Sequence, residues 1–384
     1  MPQADRPVVL YGTTVGTTAE HFLRGQLRWV REHGFDVHLA TSPDEGAAGA
    51  AAEQGATYHG LPMAREVDLR QDPRSLVQWL RLIRRLQPDV VNMSTPKAGL
   101  LGLTAAWLLR VPRRVYVVRG VRYEGATGPK RRLLQTMERV ALCLATDVVS
   151  VSHSVREVLE RDGLVSADGC VVIGAGSSNG VDVERVVGLA GEGARRPEVE
   201  AARSAGALVV GAVGRMVPDK GLTEIGRALT DPRCRQMHLV TVGGAGEDMP
   251  QEYRLLAEQG RWTHVEWTEN APREMAGFDV LLHASHREGF PNVVLEAAAL
   301  GVPTVASDVT GNRDAVVDGV TGLRFPKGDH QAIARCLVAM TDPELRARTG
   351  RAAAERVRSE FRPGPIWDGL VRIYREGLSG WRSR

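Results

Sequence analysis

Short, nearly unbroken apolar runs alternate with longer amphipathic stretches along most of the chain, and this pattern limits the fold more than any other feature. Runs at 8–11, 36–40, 89–93, 114–118, 148–151 and 170–173 read as strands. Continuous apolar runs of this length suit strands covered on both faces. Between them, 19–33, 73–86 and 130–144 read as helices; in the second, Leu76, Leu80, Ile83 and Leu86 recur at steps of three and four. Strands alternating with helices imply βαβ units and a parallel sheet.

The pattern then starts again, with strands predicted at 208–213, 238–242, 264–267, 280–283, 304–306 and 322–325. Between the two sets lie a turn-like stretch, 174–180, and a Gly/Ala/Arg-rich stretch, 191–207, with little strand signal. The 384 residues suit about two domains at roughly 150 residues each. We therefore expect an α/β protein of two doubly wound, Rossmann-like domains, over 1–187 and 188–362, with a final segment at 363–384. Ligands of such sheets bind outside the carboxyl ends of the strands. Two such domains facing each other predict the main site in the cleft between them.

Composition excludes several classes. The longest uncharged apolar stretch near the middle, 98–109, has 12 residues, too few to cross a bilayer as a helix. The amino terminus lacks the charged-then-apolar pattern of a secretory leader, so the expected location is cytoplasmic. Cys143, Cys170, Cys234 and Cys336 lie far apart without zinc spacing, which predicts no metal site and ordinary buried thiols. A net charge of +3 does not argue for nucleic acid. Of 49 basic residues only Lys97, Lys130, Lys220 and Lys327 are lysines, so each stands out in an arginine-rich chain.

After the first strand, the segment from Gly12 to Gly16 is not GxGxxG, and the chain has no GxxxxGK[ST]. Dehydrogenase and P-loop readings therefore lose their key turns. A turn at Gly16 opening a helix at Thr17 offers backbone N–H groups to an anion, or is simply a structural turn. In the second half, Gly214-Arg215-Met216-Val217-Pro218-Asp219-Lys220-Gly221 follows a strand and precedes a helix at 222–229. It puts two cations at a strand's carboxyl end, suited to a leaving diphosphate or to a solvated loop.

The most informative segment is Ser285-His286-Arg287-Glu288-Gly289-Phe290-Pro291-Asn292-Val293-Val294-Leu295-Glu296, running on to Gly301. Pro291 suits an early helical position and Gly301 a stop. Glu288 then precedes the helix and Glu296 lies inside it, so both can face one ligand, with the N–H groups of 290–293 adding anion and hydroxyl binding. Carboxylates also grip sugar diols. Two surface glutamates flanking an ordinary helix fit the same residues.

The EGFPNVVLEA stretch, with Glu288 and Glu296 eight apart, resembles the E-x7-E element of the retaining GT-B glycosyltransferases of family 4. Gly214-Arg215 with Lys220-Gly221, the Val242-Gly243-Gly244 turn, the TGNRDAVVDGVTG stretch from Thr310, and in the first half TPKAGLLG from Thr95, VSVSHS from Val149 and NGVD from Asn179 are similar too. The resemblance covers nearly the whole chain.

It implies a GT-B fold and transfer of a hexose or N-acetylhexosamine, with retention, from a nucleotide diphosphate sugar, expected to be UDP-linked. No cofactor or metal is implied. Arg215 and Lys220 would hold the diphosphate, Glu288 the donor sugar and Glu296 the ribose. Gly16, Gly243, Gly244, Phe290, Pro291, Asn292 and Val293 would line the donor. The last helix, about 366–378, would cross back to the first domain. Where many relatives carry His-Gly after the fifth strand, this chain has Arg119-Gly120. Arg119 cannot act as a base at neutral pH. With Arg122 and Lys97 it is assigned to the acceptor side, or else to packing.

Residues 110–139 carry nine basic residues against two acids, Glu124 and Glu138. Such a segment suits peripheral contact with an anionic membrane or a lipid diphosphate, or a solvated helix face. The resemblance, through its TPKAGLLG and NGVD features, implies a lipid-linked glycan of a surface polysaccharide as the acceptor. A small soluble acceptor in secondary metabolism, a nucleotide-sugar epimerase and a non-catalytic nucleotide-sugar binder are the alternatives.

Overall fold

A computed structural model describes residues 6–64, 66, 68, 70–191, 196–244, 249–376 and 378. The strands form two all-parallel sheets. The first comprises β1 (Val8–Gly12), β2 (Asp36–Thr41), β3 (Thr57–Gly60), β4 (Val90–Met93), β5 (Arg113–Val118), β6 (Asp147–Ser150) and β7 (Val171–Val172), in the order β3-β2-β1-β4-β5-β6-β7. The second comprises β8 (Leu208–Val213), β9 (Met237–Val242), β10 (Trp262–Val265), β11 (Val280–His283), β12 (Thr304–Ser307) and β13 (Gly322–Phe325), in the order β10-β9-β8-β11-β12-β13. Each order reverses once, between β1 and β4 and between β8 and β11. Loops at such switch points diverge to opposite faces and leave a crevice. Both domains are therefore Rossmann-like.

The described residues up to Asn179 and from Pro363 onward form one compact unit, and Gly180–Arg362 form the other. The Val183–Ala190 helix packs on the Ala271–Met275 helix of the second unit. Each unit has its own apolar core. Leu10, Val91, Tyr116 and Val118 help build the first, and Val210, Leu239, Leu282 and Val305 the second. Strands buried on both faces explain the unbroken apolar runs.

Several expectations differ from the structure. Of the four thiols expected to be buried, Cys143 is exposed and Cys336 half-buried. The stretch 19–33 is two helices, Gly16–Phe22 and Gln26–Glu32, broken at Gly25. Gly25 has φ 78°, and a Cβ there would lie 2.6 Å from the Trp367 ring. The edge strand β3 carries little apolar sequence, so no run betrays it. β10 begins at Trp262 rather than 264, and part of 191–207 is the Pro197–Ser204 helix.

The carboxyl-terminal helix, Pro363–Glu376, packs within the first unit. Its Tyr374 hydroxyl donates to the Tyr11 hydroxyl (3.0 Å) and accepts from the Asn92 amide (2.5 Å). Trp367 Nε1 donates to Asn179 Oδ1 at 2.6 Å, and its ring lies against Trp29.

Candidate active site

In the second unit the loops after β8 and β11 meet at the switch point, because these strands are hydrogen-bonded neighbours. The chain leaves β8 through Gly214, whose N–H donates to the Val242 carbonyl at 2.9 Å; Met216 N–H donates to Gly244 at 3.1 Å. The loop is thus tied to the turn after β9. Gly243, at φ 134°, has the Gly214 carbonyl where a Cβ would sit. Lys220 ends a short 3-10 turn, Pro218–Lys220, and Gly221 opens the Leu222–Thr230 helix in the left-handed region, φ 74°.

Lys220 Nζ donates to Glu288 Oε1 at 2.5 Å. Residues 68 apart are thereby joined across two loops. Buried His283, the last residue of β11, places Nε2 3.1 Å from the same oxygen. Ser285 Oγ lies 3.3 Å from that ring nitrogen. Burial alone would raise the Glu288 carboxyl, but the His283 hydrogen bond and charge and the Lys220 ammonium outweigh it. The carboxyl is held well below the usual carboxylate range. The neighbouring loop side chains are paired elsewhere: His286 with Glu224 at 3.1 Å, and Arg287 with Asp219 at 2.8 Å.

The loop is braced from behind. Ser307 Oγ donates to the Ser285 carbonyl at 2.5 Å, and Asn312 Nδ2 donates to Ser307 Oγ at 3.1 Å. Gly311, at φ 80°, lets its backbone pass close to Gly289. Pro291 is the N-cap of the Asn292–Ala299 helix rather than a residue within it. It has no N–H, so only Phe290, Asn292 and Val293 of that run present one. The Phe290 ring is buried against Phe361, at 5.4 Å between centroids. Asn292 and Val293 are half-buried, and so is Glu296, about one turn into the helix. Arg215 and Gly244 are exposed, and the Arg215 guanidinium has no partner among the described residues.

The structure thus joins Lys220 and Glu288 directly, and Arg215, Gly243, Gly244 and Glu296 lie on the same second unit. Sequence reasoning missed His283, because a histidine closing an apolar run looks like strand filler. Gly16 lies in the first unit and starts a seven-residue helix. A Cβ there would strike the Asp44 side chain, so its bareness serves that close packing.

The acceptor-side candidates also lie in the first unit, in differing states. Lys97 is buried, with Nζ 2.6 Å from Asp72 Oδ1 and also bonded to the Glu66 carbonyl. Arg122 pairs with the Glu66 carboxylate. Arg119 Nε and Nη1 are buried without a hydrogen-bond partner, and its guanidinium lies 5.3 Å from the Phe22 ring centre. Burial lowers this guanidinium to about 10, against the opposing pull of the Tyr11 and Tyr374 phenols. Among the described residues no cluster of three or more His, Cys, Asp or Glu is placed to hold a metal. No described helix is long and apolar enough to cross a membrane.

The chain is similar to known glycosyltransferases over both units. Residues 207–342 match the glycosyl transferases group 1 family, and residues 17–176 the glycosyl transferase 4-like domain. Over 358 residues, 92% of this chain and 93% of the relative, the chain is 32% identical to the capsular polysaccharide biosynthesis glycosyltransferase CapM of Staphylococcus aureus. It is 24% identical over 319 residues, 81% of each chain, to the UDP-Gal:alpha-D-GlcNAc-diphosphoundecaprenol alpha-1,3-galactosyltransferase of Escherichia coli. Among solved structures, Anabaena HepE in complex with UDP and glucose superposes with a TM-score of 0.75 at 20% identity, covering 99% of this chain and 100% of that one. A Rickettsia africae glycosyltransferase superposes with a TM-score of 0.78 at 15% identity, covering 98% and 99%. The chain belongs to the group 1, family 4 glycosyltransferases of GT-B fold, and it is a nucleotide-sugar-dependent hexosyltransferase.

Proposed function

We propose that the enzyme moves a hexose or N-acetylhexosamine from a UDP-linked donor to a hydroxyl of a lipid-linked glycan, with retention and without a metal. The observation that carries this reading is the Lys220–Glu288 contact at the switch point, with Arg215 on the same loop as Lys220. Arg215, Lys220 and the amino end of the Asn292–Ala299 helix supply positive potential for the departing diphosphate. Glu288 grips the sugar and Glu296 the ribose. The acceptor oxygen forms its bond to the anomeric carbon as the bond to the diphosphate breaks, and a phosphate oxygen on the same face takes the acceptor's proton. The UDP complex of HepE and the diphosphoundecaprenol substrate named for the E. coli relative favour this donor and acceptor class.

On the acceptor side, Arg119 is the member of its trio whose guanidinium is not engaged by a carboxylate, so we assign it to an anionic or hydroxyl group of the acceptor. The Gly128–Leu144 helix exposes Lys130, Arg132, Leu133, Arg139 and Val140, while Glu138 is buried. Cations interleaved with apolar side chains, with no acid exposed on that helix among them, suit peripheral contact with an anionic inner membrane face.

The test is thermal stability with UDP, GDP, ADP, CDP, NAD or no ligand, each with and without EDTA. A ligand at 100 times its Kd adds about 2.7 kcal/mol. For a domain of this size that is on the order of 5–10 °C. A shift with UDP alone is expected. A shift only with another nucleotide overturns the donor, and a UDP shift that EDTA removes overturns metal independence.

A further inference from the structure

Glu288 Oε1 receives two groups of different mobility. Lys220 is a point charge on a flexible stem, its side chain 28% exposed. His283 is 5% exposed and fixed in β11, where it pairs in register with Ala306 of β12. A diphosphate arriving at the loop after β8 competes with Glu288 for the Lys220 ammonium. The carboxylate, itself only 14% exposed, is then left with the imidazole. Buried carboxylates without a partner take up a proton or turn away. His286 and Arg287 are committed to Glu224 and Asp219 and do not replace Lys220.

We propose that His283 is a positioning residue. It holds Glu288 Oε1 through Nε2–H when the donor draws Lys220 away, leaving Oε2 aimed at the donor sugar. This rests on the reading that Glu288 meets the donor sugar. Ser285 Oγ, 3.3 Å from the same nitrogen, is a second, longer acceptor for that N–H.

Three variants test it: His283→Leu, His283→Asn and His283→Gln. The glutamine amide reaches about as far as histidine Nε2, and the asparagine amide stops one methylene short. Donor kcat and KM, UDP Kd by calorimetry, and melting temperature are measured for each. In His283→Leu and His283→Asn we expect kcat to fall about tenfold or more, the effect of losing one hydrogen bond to a charged group. UDP Kd stays within about twofold, since the diphosphate cations are untouched. His283→Gln keeps kcat within about threefold of wild type. The proposal is overturned if His283→Gln falls as far as His283→Asn, if all three turn over like wild type, or if UDP affinity falls in step with kcat. If His283→Leu does not fold, the Gln and Asn pair decides alone. A wrong donor class shows instead as a wild type that transfers nothing from UDP-sugars.

Discussion

Lys220 Nζ lies 2.5 Å from Glu288 Oε1, so without donor the cation assigned to the diphosphate is held by the carboxylate assigned to the sugar. Binding a diphosphate must break or share this contact, and its strength is subtracted from nucleotide affinity. Glu288→Gln removes the charge and keeps the shape. We expect it to bind UDP no more weakly than wild type, and up to about fivefold tighter, roughly the worth of a partly exposed pair. Transfer should fall at least a hundredfold. Calorimetry with UDP beside a turnover assay checks both. A variant that transfers normally, or loses UDP binding, would refute the assignment.

Gly221 lets this pair form, because it turns the chain immediately after Lys220. Its φ of 74° is costly for any other residue, and a Cβ would also meet the Ala284 carbonyl and lie 2.8 Å from the Ala284 Cβ. The left-handed conformation alone costs about 1–2 kcal/mol. Gly221→Ala should lower the melting temperature by at least about 4 °C, and the UDP-induced shift should shrink. Gly188→Ala is the control: it lies in the Val183–Ala190 helix with nothing within 4 Å of the new Cβ. That change should be neutral or slightly stabilising. Equal melting points for the two variants would contradict the argument.

A third prediction concerns pH. Glu138 lies on the buried face of the basic helix, accepts from the Tyr116 hydroxyl at 3.0 Å, and is pushed by burial from 4.5 up to about 7. Between these values the folded chain holds a proton that the unfolded chain releases, so stability falls as pH rises through the window. The cost is absent below about pH 4.5 and complete above about pH 7, where it approaches about 3 kcal/mol. Glu138→Gln keeps an acceptor for Tyr116 and carries no charge. It should be more stable than wild type at pH 8 and no different near pH 4, by urea denaturation at both. A gain that did not change with pH would argue against a raised carboxyl.

The reach of the sequence follows from which forces are local. Strands β1, β8 and β11 were legible because burial on both faces leaves an apolar run that turns interrupt. Glu288 and Glu296 were legible because their spacing is set within one loop and helix. The scarcity of lysine singled out Lys97 and Lys220, and both proved to be held by carboxylates. Their partners were hidden, since Asp72 and Glu288 lie far off in the chain and only the fold brings them near. His283 was hidden for the same reason. Edge strand β3 was missed because its half-solvated backbone needs little apolar sequence.

The last prediction separates folding from function at Arg119. Two of its guanidinium nitrogens are buried without partners, an arrangement that costs free energy whatever the ring of Phe22 returns. Methionine fills similar volume and carries no charge. If Arg119 is retained for an acceptor, Arg119→Met should melt higher than wild type, by about 1 kcal/mol or more in stability. Its transfer to the acceptor should fall at least tenfold, while UDP affinity, set in the other unit, stays level. If the guanidinium were instead a packing element, removing it would lower the melting point and leave turnover per folded molecule unchanged. Melting curves, UDP titration and acceptor kinetics on one preparation distinguish the two, because the readings predict opposite signs for stability.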